Sequence, residues 1–276
     1  MTTSTLITVA PTGAEVDKAV APGLPVTLDE LVACATSCES AGAAVVHVHV
    51  RDAEARPTLD LRRLKETVAA LRAETSLVVQ LSTGGSVSDS YADRLRVLEA
   101  GPDSCSLTCG TVNFGDDVFL NPWPFVSELY QATQRCGVVP EFELFDLGHV
   151  AALHRLLDLH GAPYGGRVHC DLVMGVPGGF PGDLATLATA VAALPSGATW
   201  SATGIGRATL PVLFATLAAG GHLRVGMEDT VTYAKGRPVR DNAELVERAA
   251  HAATLAQRPP MDAVAARAFL GLPAAG

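Results

Sequence analysis

A chain of 276 residues and 28.5 kDa, 48% apolar and only 18% charged, can build a sizeable core and lacks the low-hydropathy, high-charge composition of a disordered protein. Its 29 acidic and 20 basic residues give a formal charge of −9, no Lys/Arg cluster occurs, and aromatics are 5%, which excludes a nucleic-acid binder that tracks phosphates or stacks bases. Mean hydropathy is +0.27, yet no stretch of about 18 residues is continuously apolar, and residues 1–10 have neither the basic region nor the apolar run of a signal peptide, so no membrane span and a cytoplasmic location are expected.

Short β-branched runs alternate with longer amphipathic segments along the chain. Strand one is read at 6–10 and a helix at 28–41, with Thr27 as its N-cap. Strand two at 44–50 and a helix at 60–74 follow, then strand three at 76–81 and a helix at 90–100 ended by Gly101 and Pro102. Strand four falls at 104–108, with a helix at 124–136 stopped by Gly137. Strand five (138–145), strand six (167–173) and strand seven (198–202) precede helices at 148–160, 182–194 and 209–219. Strand eight at 223–227 leads to a helix at 242–257, and Pro259–Pro260 breaks the chain before a last helix at 261–270. Eight β–α units in this length imply parallel strands, right-handed crossovers and one closed TIM (β/α)₈ barrel of the α/β class. The expectation is one catalytic domain over 1–276 with an extra C-terminal helix. The six cysteines form no C-x-x-C pair and read as small buried residues in a reducing cytosol.

A barrel carries its chemistry at the C-terminal strand ends. Polar residues interrupt the apolar pattern there: Glu15 after strand one, His47 and His49 near the end of strand two, Ser82 after strand three, Thr108, Thr111 and Asn113 after strand four, Glu143 near the end of strand five, and Arg224, Glu228 and Asp229 at strand eight. In A-A-V-V-H-V-H-V-R-D, His47 and His49 share one face of a strand, a spacing that suits one zinc ion or two hydrogen-bonded core histidines. Strand eight neighbours strand one in a closed barrel, so Glu228 can reach a metal on the two histidines and leave positions open for substrate. Asp229 beside Arg224 reads either as a base tuned by a cation or as a surface ion pair. In L-S-T-G-G-S, Ser82 and the amides through Gly85 can bind a carboxylate, although a tight turn also explains the glycines. T-G-I-G-R at 203–207 reads equally as a phosphate loop or a plain turn.

The ordered set V-A-P-T-G-A-E-V, H-V-H-V-R-D, L-S-T-G-G, C-G-T-V-N-F-G, F-E-L-F-D-L-G-H, G-V-P-G-G, W-S-A-T-G-I-G-R and H-L-R-V-G-M-E-D resembles the β-keto acid cleavage enzyme family, from about Ile7 to about Asp229. The resemblance implies a zinc-containing TIM barrel that condenses a β-keto acid with acetyl-CoA, giving acetoacetate and a new acyl-CoA ester. It places the zinc ligands on His47, His49 and Glu228 and the Arg–Asp dyad on Arg224 and Asp229. Ser82, with Gly85 in the same loop, falls on a catalytic and substrate-holding position. Glu15 and Glu143 match acids that face a substrate amine in the aminohexanoate-cleaving branch, and Thr111 and Asn113 match a substrate-contacting Thr-x-Asn. The implied chemistry is a Claisen condensation, CoA transfer and retro-Claisen split, with small-molecule partners only and a homotetrameric assembly. The high hydropathy and the extra helix also suggest a buried subunit interface.

A second reading is a zinc hydrolase of the amidohydrolase kind. That class carries H-x-H on its first strand and further His and Asp ligands at later strand ends. His149, His154, His160, His169 and His222 form no such series. A third reading, a non-catalytic sensor on a degenerate barrel, sits poorly with the retained acids, histidines and Arg224.

Overall fold

In the computed structural model, which describes residues 4–274, the eight β-branched runs pair into a closed parallel barrel. The ends of the 1–276 span, including the first three residues of the segment read for a signal peptide, lie outside the described residues. The strands are β1 (Ile7–Val9), β2 (Val45–Val48), β3 (Val78–Leu81), β4 (Ser104–Thr108), β5 (Val139–Leu144), β6 (His169–Met174), β7 (Thr199–Gly204) and β8 (His222–Val225). Each strand pairs with its sequence neighbours, and β1 closes on β8 with Thr8 opposite Arg224. The helices are α1 (Leu28–Ala41), α2 (Leu61–Glu74), α3 (Tyr91–Arg96), α4 (Trp123–Cys136), α5 (Leu147–His160), α6 (Leu184–Ala193), α7 (Thr209–Ala218), α8 (Asn242–Leu255) and α9 (Ala263–Leu270). Among the described residues no helix is long and apolar enough to cross a membrane.

Period-two alternation sorts each strand. Val46, Val48, Val79 and Leu81 share one buried cluster with Leu31, Ala35, Leu64 and Val68 of α1 and α2. Each valine or leucine among them contributes about 1.5–3 kcal/mol when fully buried. The other face of the strands is polar: His47 is registered with Gln80, Ser106 with Glu141, Glu141 with His169 and Glu143 with Asp171. Polar side chains thus occupy the interior that Val, Ile and Leu layers fill in most such barrels. Thr27 caps α1 as the sequence indicates, and a reciprocal bond from Glu30 completes a capping box of about 1 kcal/mol.

One face of the last helix is buried within its own chain. Met261, Ala266, Leu270 and Leu272 pack against Leu6, Val45, Val78 and Val139, so α9 plugs the floor of its own barrel. The differences from the sequence reading are local. β2 stops at Val48, because the chain beyond it turns on itself, with Arg51 bridging Pro57 and Thr58 N–H donating to the Val50 carbonyl. The β4 and β8 loops hold two short hairpins absent from the strand reading: Val112–Phe114 with Asp117–Phe119, and Thr232–Ala234 with Arg237–Pro238. The six cysteines are free; four are buried, while Cys34 is half-buried and Cys136 exposed.

Candidate active site

Strand parity and two close backbone approaches assemble the site at the C-terminal strand ends. His47 points inward from β2, and its Nδ1 lies 2.6 Å from Gln80 Oε1. The Gln80 amide nitrogen donates to Ser104 Oγ at 3.2 Å, so the oxygen is the end that meets the imidazole. That contact makes Nδ1 the protonated nitrogen and leaves Nε2 as a lone-pair donor toward the cavity. Burial, reinforced by the nearby Arg224 charge, pushes His47 down to about 3, so the ring is neutral at pH 7. The His49 ring lies 5.4 Å from it, centroid to centroid, just past the strand end.

Glu228 arrives from the turn after β8. A Cβ at Gly226 would sit 1.9 Å from the Ala10 carbonyl oxygen, so only glycine permits this approach. The Glu228 N–H then donates to that same oxygen at 3.2 Å. Gly13, at φ +62°, carries the β1 loop across the Glu228 side chain, where a Cβ would be 2.7 Å from Cγ. Glu228 Oε1 stands 3.8 Å from His47 Nε2 and 3.6 Å from His49 Nε2. Oε1 accepts from Arg224 Nη2 at 2.5 Å, whereas Oε2 is buried with no partner. An orphaned buried carboxylate oxygen is costly, and one ligand atom each of Glu228, His47 and His49 lies within 4.8 Å of the others. Two nitrogens and one carboxylate make a donor set that fits zinc with a position left for substrate.

Arg224 is the hub of the acidic groups, and the surface ion-pair alternative is excluded because Arg224 and Asp229 are 6% and 4% exposed. Its Nε and Nη2 donate to the two Asp229 oxygens at 3.3 and 3.0 Å, and Nη1 donates to Glu143 Oε1 at 3.2 Å. Burial works against the guanidinium charge, but Asp229, Glu228, Asp171 and Glu143 outweigh it and keep Arg224 protonated. Burial raises Asp229 above the ordinary carboxylate range, with Arg224 pulling the other way. At Glu228 burial also raises, but Arg224 and the two imidazoles prevail and hold it low.

These groups border a cavity of about 240 Å³, together with Glu15, Ser82, Gly85 and Glu143. Phe114, Phe119, Phe145, Val173, Val176 and Ile205 form its apolar wall. Ser82 Oγ accepts from the Gly84 N–H at 3.1 Å, which leaves its hydroxyl hydrogen to donate outward. Thr111 and Asn113 do not join them. The β4 hairpin turns Thr111 Oγ1 to the Asn121 N–H, leaves both residues exposed, and brings Phe114 and Phe119 to the cavity instead. The 203–207 loop is a packed turn: the Ile205 and Gly206 N–H groups donate to the Met174 and Asp229 carbonyls.

Two buried neighbours, Gln80 and Asp171, escaped the sequence reading, and a third, Thr108, was read only as a polar residue at the end of strand four. Gln80 orients His47, and Thr108 donates to Glu143 Oε2 at 2.8 Å. Asp171 accepts from Thr203 at 2.6 Å, and its Oδ1 has no partner. The signal was parity: Gln80 shares a strand face with Ser82, and Asp171 is a lone charge within an apolar strand. Arg51 of the H-V-H-V-R-D run also has a definite place, where Nη2 donates to the Gly13 and Val16 carbonyls and ties down the β1 loop.

Comparison with known proteins agrees with this geometry. The family model described as beta-keto acid cleavage enzyme matches residues 4–272. The 3-keto-5-aminohexanoate cleavage enzyme of Acetoanaerobium sticklandii is 36% identical over 269 residues, covering 97% of this chain and 98% of that protein. The 3-oxoadipate:acetyl-CoA acetyltransferase of Cupriavidus necator is 34% identical over 99% of this chain and 96% of its own. Among solved structures, apo ObcA superposes with a TM-score of 0.80 at 20% identity, covering 91% of this chain, which in turn spans 66% of ObcA. The fold, the match to the family model and the identity to these relatives agree: the chain belongs to the β-keto acid cleavage enzyme family.

Proposed function

We propose that this barrel, residues 1–276 as one catalytic unit, is a zinc-dependent β-keto acid:acetyl-CoA acyltransferase. One observation carries the reading: the His47, His49 and Glu228 donor set shares a cavity with an Asp229 carboxylate aimed by the buried Arg224. His47, His49 and Glu228 would hold the zinc, which would supply Lewis-acid polarisation of a ketone oxygen. Asp229 removes a C2 proton from the β-keto acid as general base. Arg224 fixes the direction of that carboxylate. The Ser82 hydroxyl and the backbone at Gly85 hold the substrate carboxylate, and Glu15 and Glu143 contact its distal end. Thr111 and Asn113 have no part in this reading.

The bonds balance without any oxidant or reductant. C2 attacks the acetyl carbonyl of acetyl-CoA and expels the CoA thiolate. The thiolate adds to the original ketone carbon. The bond from that carbon to C2 breaks, releasing a new acyl-CoA. The acetoacetate carbanion takes its proton back from Asp229. A panel of β-keto acids incubated with the purified protein is therefore expected to yield acetoacetate only when acetyl-CoA is present. Substrate cleavage that proceeds equally well without acetyl-CoA would sink the reading and favour a hydrolase.

Two further elements belong to the same proposal. The free thiols suit a reducing cytoplasm. Phe214, Leu184, Leu255 and Val264 stand exposed on outer helices and support a homotetramer that covers them. Light scattering at micromolar concentration is expected to give four times the chain mass, and a particle of 28.5 kDa would overturn the assembly.

A further inference from the structure

Arg94 of α3 lies outside the cavity and has no role above, yet it is 2% exposed and pairs with no carboxylate among the described residues. Its donors go to neutral oxygens instead. Nε donates to the Thr83 carbonyl at 2.7 Å, Nη1 to the Leu120 carbonyl at 2.9 Å, and Nη2 to Asn121 Oδ1 at 2.5 Å. The guanidinium carbon lies 4.3 Å from the Phe125 ring centre and 4.7 Å from that of Phe119. Burial lowers it to about 10, so it is charged at neutral pH. A buried cation without a carboxylate is expensive, and the rigid fork of an arginine is what fixes three acceptors at once.

Both segments it ties are walls of the cavity. Thr83 separates Ser82 from Gly84, whose N–H donates to Ser82 Oγ. Phe119, next to Leu120, closes over Gly84 so tightly that a Cβ there would meet its Cζ at 3.2 Å. We infer that Arg94 is a positioning residue that locks the Ser82 loop to the β4 hairpin, so that the Ser82 hydroxyl and the Phe119 ring face the substrate in one fixed arrangement. The cation on the Thr83 carbonyl polarises the following peptide and strengthens the Gly84 N–H as a donor to Ser82 Oγ. The Ser82 hydroxyl hydrogen then points to a substrate oxygen.

The effect on turnover rests on the function proposed above, whereas the clamp does not, so the test has two arms. Arg94→Lys keeps the charge but cannot reach all three acceptors. Amide hydrogen exchange is expected to quicken on the order of tenfold in 82–86 and 118–121 together, with the rest of the barrel unchanged. With a turned-over β-keto acid, KM should rise about tenfold or more while kcat and zinc content stay near wild type. In a Ser82→Ala background the same substitution should raise KM little further. Asn121→Ala, which removes one acceptor, should give a smaller change in the same two segments if Arg94→Lys fails to fold. Unchanged exchange overturns the clamp. Faster exchange with wild-type KM overturns its link to substrate, and additive effects with Ser82→Ala overturn the route through Ser82. A wild-type protein without turnover counts against the proposed function, and the exchange arm still decides the clamp.

Discussion

Asp229→Asn is expected to lower kcat on the order of 10²–10⁴-fold, the usual cost of losing a general base. The substitution is nearly isosteric. An asparagine can still accept from Arg224 through its amide oxygen, so the side chain stays beside the Arg224 fork. What it loses is the ability to take a proton. Glu228, one residue earlier, keeps its backbone bond to Ala10 and its bond from Arg224, so zinc binding should persist. The competing view, in which Asp229 only pairs with Arg224, predicts a cost in stability with kcat within a few-fold of wild type. A steady-state assay on the variant, with thermal unfolding and metal analysis alongside, separates the two.

His49→Ala is expected to abolish activity together with metal. The wild-type chain should carry about one zinc, and removing one of three protein ligands leaves a pair that cannot hold it. His49 is not a core residue that a cavity would explain away. Its side chain is partly exposed and sits beyond the strand end, so truncation should leave the fold intact. Gln80→Leu grades the same effect. It keeps all three ligands but releases His47 from its tautomer, and it should weaken the metal about 10–100-fold. Elemental analysis after dialysis against a chelator, read beside activity, checks both. Full activity in a rigorously metal-free preparation would remove zinc from the account.

The barrel was legible because eight apolar runs and eight amphipathic segments alternate with little else between them. Their ends were less so. β2 is shorter than its pattern because Arg51 and Pro57 bridge the following loop, a contact that leaves no trace in hydrophobic periodicity. The charged centre was legible from residue type: His47, His49, Arg224, Glu228 and Asp229 each break an apolar run at a strand end and do converge. Thr111 and Asn113 stand away from the cavity, and their direction was not legible because it depends on a hairpin whose pairing involves only three residues per strand. Gln80, Asp171 and Arg94 were passed over for a different reason. Their importance lies in partners distant in sequence, such as Gln80 with His47 and Arg94 with Asn121, which no local pattern encodes.

The central claim is that Asp229 takes the C2 proton of a β-keto acid at this site. Its most direct test is exchange of the substrate C2 protons in D₂O, with CoA esters absent, followed by NMR. Wild-type protein should accelerate the exchange, and a folded, zinc-replete Asp229→Asn protein should leave it at the spontaneous rate. Equal acceleration by both proteins would contradict the account and assign the proton to another carboxylate, with Glu143 the next candidate.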